Sequence, residues 1–329
     1  MSGIAPARVD ELLRRASSVR VLVVGDLMLD RYVSGHVERV SPEAPVPVLL
    51  VESERSAIGG AGNVAANVTS LGARCAVVGC VGDDEAGAEL LAKFAAREVD
   101  AGATVRAPGR PTTVKTRVHA GQHQLVRFDR EVEDDLEGAL ADRLADAVRD
   151  LVPACDAVVV QDYNKGVLTG RVIEAVLGAA DASDRPVVVD PKRRKFFDYG
   201  GATVLKPNRR ELQDALGDFV RSDDEAWMEA TRNRLACRHL LVTLGGQGMA
   251  LQTAEGCLVR LPAAAQDVYD VSGAGDTVSA VVAVALAAGA SIEEAARLAN
   301  HAAAVEVGRP GVQTVSPAEI AAHARAWPD

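Results

Sequence analysis

The chain has 329 residues, 48% hydrophobic and 25% charged, which is ample apolar material for one large domain or two modest ones. A net charge of −10 disfavours a nucleic-acid partner, whose affinity rests on clustered Lys and Arg. It leaves room for a phosphorylated small molecule held in a local cationic pocket. Aromatic residues are only 3%, which favours helices packed on a sheet over an aromatic binding surface.

Residues 1–20 are amphipathic and charged, with no apolar core of a signal peptide, so none is expected. Strand-like runs then occur over 21–25, 76–79, 157–160, 186–189, 203–205 and 240–243. Helical patterns lie between them, over 63–71, 85–96, 136–151, 171–182, 210–216 and 225–236, and a buried apolar helix is expected over 278–288. Continuous apolar strands alternating with helices predict an α/β fold with a mainly parallel sheet covered on both faces. Ligands of such sheets bind beyond the carboxyl ends of the strands, where Gly25-Asp26, Gln161-Asp162, Asp190-Pro191-Lys192, Lys206-Pro207-Asn208 and Gly245-Gly246 fall. Two segments break the alternation. Residues 31–58 are proline-rich and strand-like, and 112–129 read as a hairpin turning at Ala120-Gly121. Insertions 31–58 and 111–130 are therefore expected to form one small β lid on a single domain spanning 1–329. A lid exposes sheet edges, and a homodimer joined lid to lid would cover them.

The five cysteines (Cys75, Cys80, Cys155, Cys237, Cys257) lack metal-ligand spacing and fit reduced thiols in a cytoplasm. The apolar run at 278–290 is too short to span a membrane. No Walker-type phosphate loop is present, and neither Gly25-Asp26 nor Gly59-Gly60-Ala61-Gly62-Asn63 completes a dinucleotide fingerprint, which disfavours a nicotinamide enzyme. The stretch Asp270-Val271-Ser272-Gly273-Ala274-Gly275-Asp276-Thr277 opens the apolar helix. A helix start built from small residues is an anion site, because unpaired N–H donors and the positive helix end coincide. A carboxylate inside it, Asp276, suits a base that deprotonates a hydroxyl while the loop holds a transferring phosphoryl group. Taken alone, the same stretch also fits a Gly-rich turn with a capping Asp.

Five elements occur in order: Gly25-Asp26, Gly59-Gly60-Ala61-Gly62-Asn63, Lys206-Pro207-Asn208-Arg209-Arg210-Glu211, Thr243-Leu244-Gly245-Gly246-Gln247-Gly248 and Asp270 to Asp276. With them the chain resembles the ribokinase-like, PfkB-type carbohydrate kinases over nearly its full length. That resemblance implies a three-layer sandwich with a mainly parallel central sheet plus a small β lid. Within the family it is similar to the D-glycero-D-manno-heptose 7-phosphate kinases of ADP-heptose synthesis. The carrying stretches are Val24 to Tyr32, Arg39 to Val48 (with Ser41-Pro42-Glu43-Ala44-Pro45-Val46-Pro47-Val48), Gln124 to Asp129, Asp190 to Lys192 and Tyr269 to Val278. Many such relatives continue into a nucleotidyltransferase domain with a His-x-Gly-His signature. That signature is missing here, and a stand-alone kinase form is expected.

The resemblance implies ATP as donor, Mg²⁺ as cofactor and a heptose 7-phosphate as acceptor. Asp276 would be the base, and the backbone of Gly273, Ala274 and Gly275 the phosphoryl-binding hole. Asn208 and Glu211 would order Mg²⁺ through waters, although as residues they equally read as a helix cap with an acidic first turn. Asp26, Asp30, Gly59, Gly60 and Asn63 would meet the sugar. Thr243, Gly245 and Gly248 would line the nucleotide phosphates and ribose, with Asn300 beside the adenine. For the acceptor phosphate, Lys192 leads, followed by the lid cations Lys115, Arg117 and Arg127, with Arg39 more remote. Kinases of other sugars, such as a fructose phosphate, ribose or a nucleoside, share these features. A catalytically silent sugar or nucleotide sensor on the same scaffold would share most of them.

Overall fold

The computed structural model describes residues 3–265, 268–309 and 311–327. The chain opens on α1 (Pro6–Arg15) and enters β1 (Arg20–Gly25). Next come β2 (Leu27–Val40), β3 (Pro47–Gly60), α2 (Ala61–Ser70), β4 (Arg74–Val78), β5 (Cys80–Gly82), α3 (Glu85–Ala95), β6 (Val99–Asp100) and β7 (Val105–Ala107). The hairpin β8 (Thr113–Ala120) and β9 (His123–Arg130) leads to α4 (Gly138–Leu151), β10 (Ala157–Gln161), α5 (Gly170–Ala182), β11 (Val187–Asp190), β12 (Val204–Leu205) and α6 (Arg209–Leu216). The remainder is α7 (Glu225–Arg234), β13 (His239–Thr243), β14 (Met249–Gln252), β15 (Leu258–Leu261), α8 (Ala274–Ala287), α9 (Ile292–Val307) and α10 (Pro317–Ala326).

Among the described residues nine strands form the main sheet in the order β15-β14-β13-β12-β11-β10-β1-β4-β6, parallel from β13 to β6. β14 and β15 add an antiparallel edge. Alternate side chains along each strand serve opposite faces. Val21 and Val23 pack in one core with α1, α2, α3, α8, α9 and α10, while Leu22 and Val24 pack in the other with α4, α5, α6 and α7. This is the expected three-layer α/β sandwich. From β1 the chain builds outward to β4 and β6, then returns to place β10 and its successors on the other side. The order therefore reverses between β1 and β10, and the crevice beyond their carboxyl ends is where such a sheet takes a ligand.

The lid is a four-stranded sheet in the order β3-β2-β8-β9, with β2 and β8 parallel and the other pairs antiparallel. Only Asp26 separates β1 from β2, so the lid strands rise directly from the sheet and run over 27–60, beyond the 31–58 expected. Cys75, Cys80, Cys155 and Cys237 are buried and Cys257 is exposed, all as free thiols. Among the described residues no helix is long and apolar enough to cross a membrane.

Candidate active site

α8 begins at Ala274, four residues before the expected apolar run, so Asp276 lies in its first turn and is buried. Gly273 is the residue before the helix and has φ +95°, a conformation that side-chain-bearing residues rarely adopt. A Cβ there would stand 2.6 Å from Oε1 of Glu306. The small residues of α8 and α2 let these two helices pack side by side, with their N-termini at the crevice. A buried chain of hydrogen bonds fixes the pairing. Thr277 Oγ1 donates to Asn67 Oδ1 (3.2 Å), and Asn67 Nδ2 donates to the Asn63 carbonyl (3.0 Å).

The Asp276 carboxylate accepts three donors: Asn63 Nδ2 at 2.8 Å, Gln161 Nε2 at 3.0 Å and the Tyr163 hydroxyl at 2.7 Å. Burial pushes its pKa up to about 6; the Asn63 and Tyr163 hydrogen bonds pull the other way. The result is a carboxylate that is ionised at neutral pH yet able to take up a proton. Nearby Glu306 is buried without a hydrogen-bond partner among the described residues, and burial, with Asp276 and Asp270 adding to it, raises its pKa to about 9. It is therefore neutral at pH 7 and adds no negative charge behind Gly273.

A cavity of about 530 Å³ opens from Asp276 and the 273–275 backbone toward β13 and α9. Asn208, Glu211, Thr243, Gly245, Gly248 and Asn300, the residues that the resemblance implies for ATP, all line it. Asn300 donates to the Pro262 carbonyl at 2.8 Å, which orients its amide at the far end. Asn208 and Glu211 form a reciprocal capping box at the start of α6. The pair caps the helix and also faces the cavity. Ala274, in contrast, has its amide directed at the Val271 carbonyl, although at a long 3.4 Å.

Lys206 and Asp190 form a buried ion pair at 3.1 Å, and Gln161 donates to the same Asp190 oxygen at 2.8 Å. Lys206 and Lys192 hold the Asp190 carboxyl below the usual carboxylate range against the opposing effect of burial. Lys192 pairs with Glu211 and lies 5.3 Å from the Tyr163 ring centre. It therefore faces this cavity beside Asp276, whereas from the sequence it was expected against the distal phosphate of the acceptor. Asp190 Oδ1 is buried without a partner among the described residues. Glu211 and this orphaned oxygen are hard donors of the kind Mg²⁺ takes while keeping several waters, and Lys192, Lys206 and the α8 terminus suit a polyphosphate.

The sugar-side expectations divide. Asp30 is buried at the lid base, with its Oδ1 accepting Arg117 Nη1 at 2.5 Å. A Cβ on Gly59 would stand 2.4 Å from Asp30 Oδ2, so glycine is what lets that carboxylate sit there. Gly60 leads into α2, whose third residue Asn63 donates to the Asp276 carboxylate. Asp26 is a correction. Its carboxylate is 1% exposed and accepts the backbone N–H groups of Tyr163, Lys165 and Val167 at 2.8, 3.0 and 3.1 Å. It holds the loop after β10 and offers no free oxygen to a hydroxyl. Arg127 is half exposed and pairs with Asp129 at 3.1 Å. Tyr163, Gln161, Asp190 and Lys206 were not assigned roles from sequence. A polar residue closing an otherwise apolar strand, as Gln161 closes Ala157–Gln161, was the available signal.

Fold and cleft together define a sugar kinase of the ribokinase-like class. The profile described as pfkB family carbohydrate kinase matches residues 19–319, and the chain belongs to that family. It is 46% identical over 316 residues to Bifunctional protein HldE of Rhodospirillum rubrum, covering 95% of this chain and 63% of that protein. The protein of the same name from Caulobacter vibrioides is 46% identical over 315 residues, covering 94% and 64%. The chain thus spans just under two thirds of the length of these curated relatives. Among solved structures, phosphofructokinase-2 from Escherichia coli in complex with potassium superposes with a TM-score of 0.76 at 20% identity, covering 94% of this chain and 99% of that one. Arabidopsis thaliana ribokinase complexed with ribose and ATP gives 0.73 at 21% identity, covering 93% and 98%. At such identities these likenesses establish the fold.

Proposed function

We propose that this chain transfers the γ-phosphoryl group of ATP, with Mg²⁺, to the anomeric oxygen of D-glycero-D-manno-heptose 7-phosphate, giving the 1,7-bisphosphate for ADP-heptose and lipopolysaccharide-core synthesis. The observation that carries the reading is the Asp276 carboxylate, held by three donors where the nucleotide cavity meets the lid base. Asp276 takes the hydroxyl proton as the oxygen attacks phosphorus, and the bond from phosphorus to the ADP oxygen breaks. The amides of Gly273 and Gly275, with Lys192 and Lys206, stabilise the charge on the transferring group, the dominant contribution in phosphoryl transfer. Mg²⁺ would supply further neutralisation of the phosphates near Glu211. The lid, closing over the acceptor, excludes water that would otherwise waste ATP. The heptose assignment draws on the Ser41 to Val48 run and on the likeness to Bifunctional protein HldE.

We further infer a cytoplasmic homodimer that buries the outer lid faces, where Val51, Val126 and Phe128 are 50–58% exposed. Coupled ADP-release assays test the activity. Heptose 7-phosphate should outperform fructose 6-phosphate, ribose and nucleosides in kcat/KM, and a better rate with fructose 6-phosphate would reject the heptose assignment. Asp276→Asn should bind ATP normally and lose about 10²–10⁴-fold in kcat. Near-normal turnover would reject the base, and no ADP release with any sugar would favour a silent sensor.

A further inference from the structure

Three residues lie side by side across the lid. Register pairs Tyr32 of β2 with Arg55 of β3 on one side and with Arg117 of β8 on the other. Paired residues point to the same face, so Arg55, Tyr32 and Arg117 form a transverse row. The Asp30 row lies two residues closer to the sheet, about 7 Å away at the usual strand rise. That places the row on the Asp30 side of the lid, one step further out from the base.

The two guanidiniums converge on one ring. The Arg55 guanidinium carbon is 4.0 Å from the Tyr32 centroid and that of Arg117 is 5.4 Å away. Arg117 already serves Asp30. Lys115 is paired with Asp129 and Glu131, Arg127 with Asp129 and Arg31 with Glu89, while Arg130 lies opposite Val114 on the other face and Arg39 lies near the outer end of β2, seven residues beyond Tyr32. Arg55 makes no ion pair with a carboxylate among the described residues and holds its place by stacking on Tyr32. It also reaches across the cleft, since a Cβ on Gly311 would stand 3.6 Å from its Nη2. The Gly311 amide donates to Asp270 at 3.2 Å, so Arg55 lies against a turn that is tied to the loop leading into Gly273. A stacked guanidinium with its donors uncommitted is pre-set for a bidentate oxyanion.

We propose that Arg55, with Arg117 beside it, binds the phosphate at the end of the acceptor sugar remote from the attacked hydroxyl. This rests on the reading of a sugar phosphate as acceptor and names a residue for it. The site selects a phosphorylated sugar over its dephosphorylated counterpart, and Tyr32 is the positioning residue that holds Arg55 over the cleft.

The test compares heptose 7-phosphate with the same heptose lacking phosphate, in the wild type, Arg55→Gln and Arg55→Lys. Arg55→Gln should raise KM for the phosphorylated sugar about 10- to 150-fold, the size of one lost charge-assisted contact. The KM for ATP and the KM for the unphosphorylated sugar should stay within about twofold. Arg55→Lys should recover part of the loss, restoring charge without the fork. Equal loss on both sugars, or no loss on either, overturns the proposal. If fructose 6-phosphate is the better acceptor, the heptose assignment fails. The same comparison on fructose 6-phosphate and fructose then decides Arg55 separately, and a wild type indifferent to the acceptor phosphate in both pairs rejects the site. Calorimetric binding of the phosphorylated sugar without ATP checks that the loss lies in binding.

Discussion

As the proposed base, Asp276 combines two demands that burial sets against each other: it must be anionic to accept a proton, yet sit where water is excluded. Its donors set the balance. Tyr163 is the one whose removal leaves the rest of the pocket in place, because its hydroxyl meets Asp276 Oδ1 alongside Gln161. With the carboxyl near pKa 6, kcat/KM should fall about tenfold per pH unit below that value and level off above it. In Tyr163→Phe the carboxylate loses a stabilising hydrogen bond, so the acidic limb should move to higher pH while the plateau changes less. Rate profiles over pH 5–8 measure this; an unmoved limb would mean that Asp276 is not the group being titrated. The position of Asp276 at the buried start of α8 was legible from residue type and place, and side-chain orientation was less so. Asp26 and Asp30 are both acids at one strand end, four residues apart. Only the fold reveals that the first turns toward backbone amides and the second toward the lid.

The loop after β10 is an element without regular structure whose shape depends on one side chain. Both Asp26 oxygens accept backbone N–H groups, of Tyr163, Lys165 and Val167, and this positions the tyrosine that donates to Asp276. Asp26→Asn replaces one of those oxygens with an amide that cannot accept, at a cost of about 1–3 kcal/mol. The pH dependence provides a sharper signature. Burial and Asp162 raise the Asp26 pKa to about 6, above its unfolded value, so the native state holds the extra proton between about pH 4 and 6. Stability contributed at Asp26 therefore declines as pH rises through that window, and the Asn variant should lack that part of the slope in denaturant titrations at stepped pH. If Asp26 instead bound the sugar, the variant would raise the acceptor KM with its stability intact. Apolar periodicity marked most helices to within a few residues, but it missed β14 and β15. Their short antiparallel runs, four residues each, carry too little pattern to stand apart from the helix-rich surroundings. The start of α8 was legible as the opening of the apolar helix, although the apolar run alone placed it at 278, four residues after Ala274.

At the scale of the molecule, the site is assembled from segments far apart in sequence, brought together by the reversal of strand order between β1 and β10. The alternation of strands and helices implied a parallel sheet, but the order of strands, and with it the meeting of Gln161, Asn63 and Asp276, follows from how the layers pack. The lid is the other large-scale feature. Val126 and Phe128 flank Arg127 on β9, so they point away from the face that carries Arg117 and Asp30. Phe128 is 58% and Val126 50% exposed in the single chain, an unusual position for large apolar groups on one sheet face. Burial of this face in a lid-to-lid dimer predicts that Phe128→Glu, which would place two charges in the dry interface, shifts sedimentation from dimer toward monomer. The acceptor KM should rise with it, because the lid loses its backing, while ATP binding on the far side of Asp276 stays unchanged. A dimer that survives Phe128→Glu together with Val126→Asp would assign the interface to another face, and a monomeric wild type would leave the lid to close on its own chain alone.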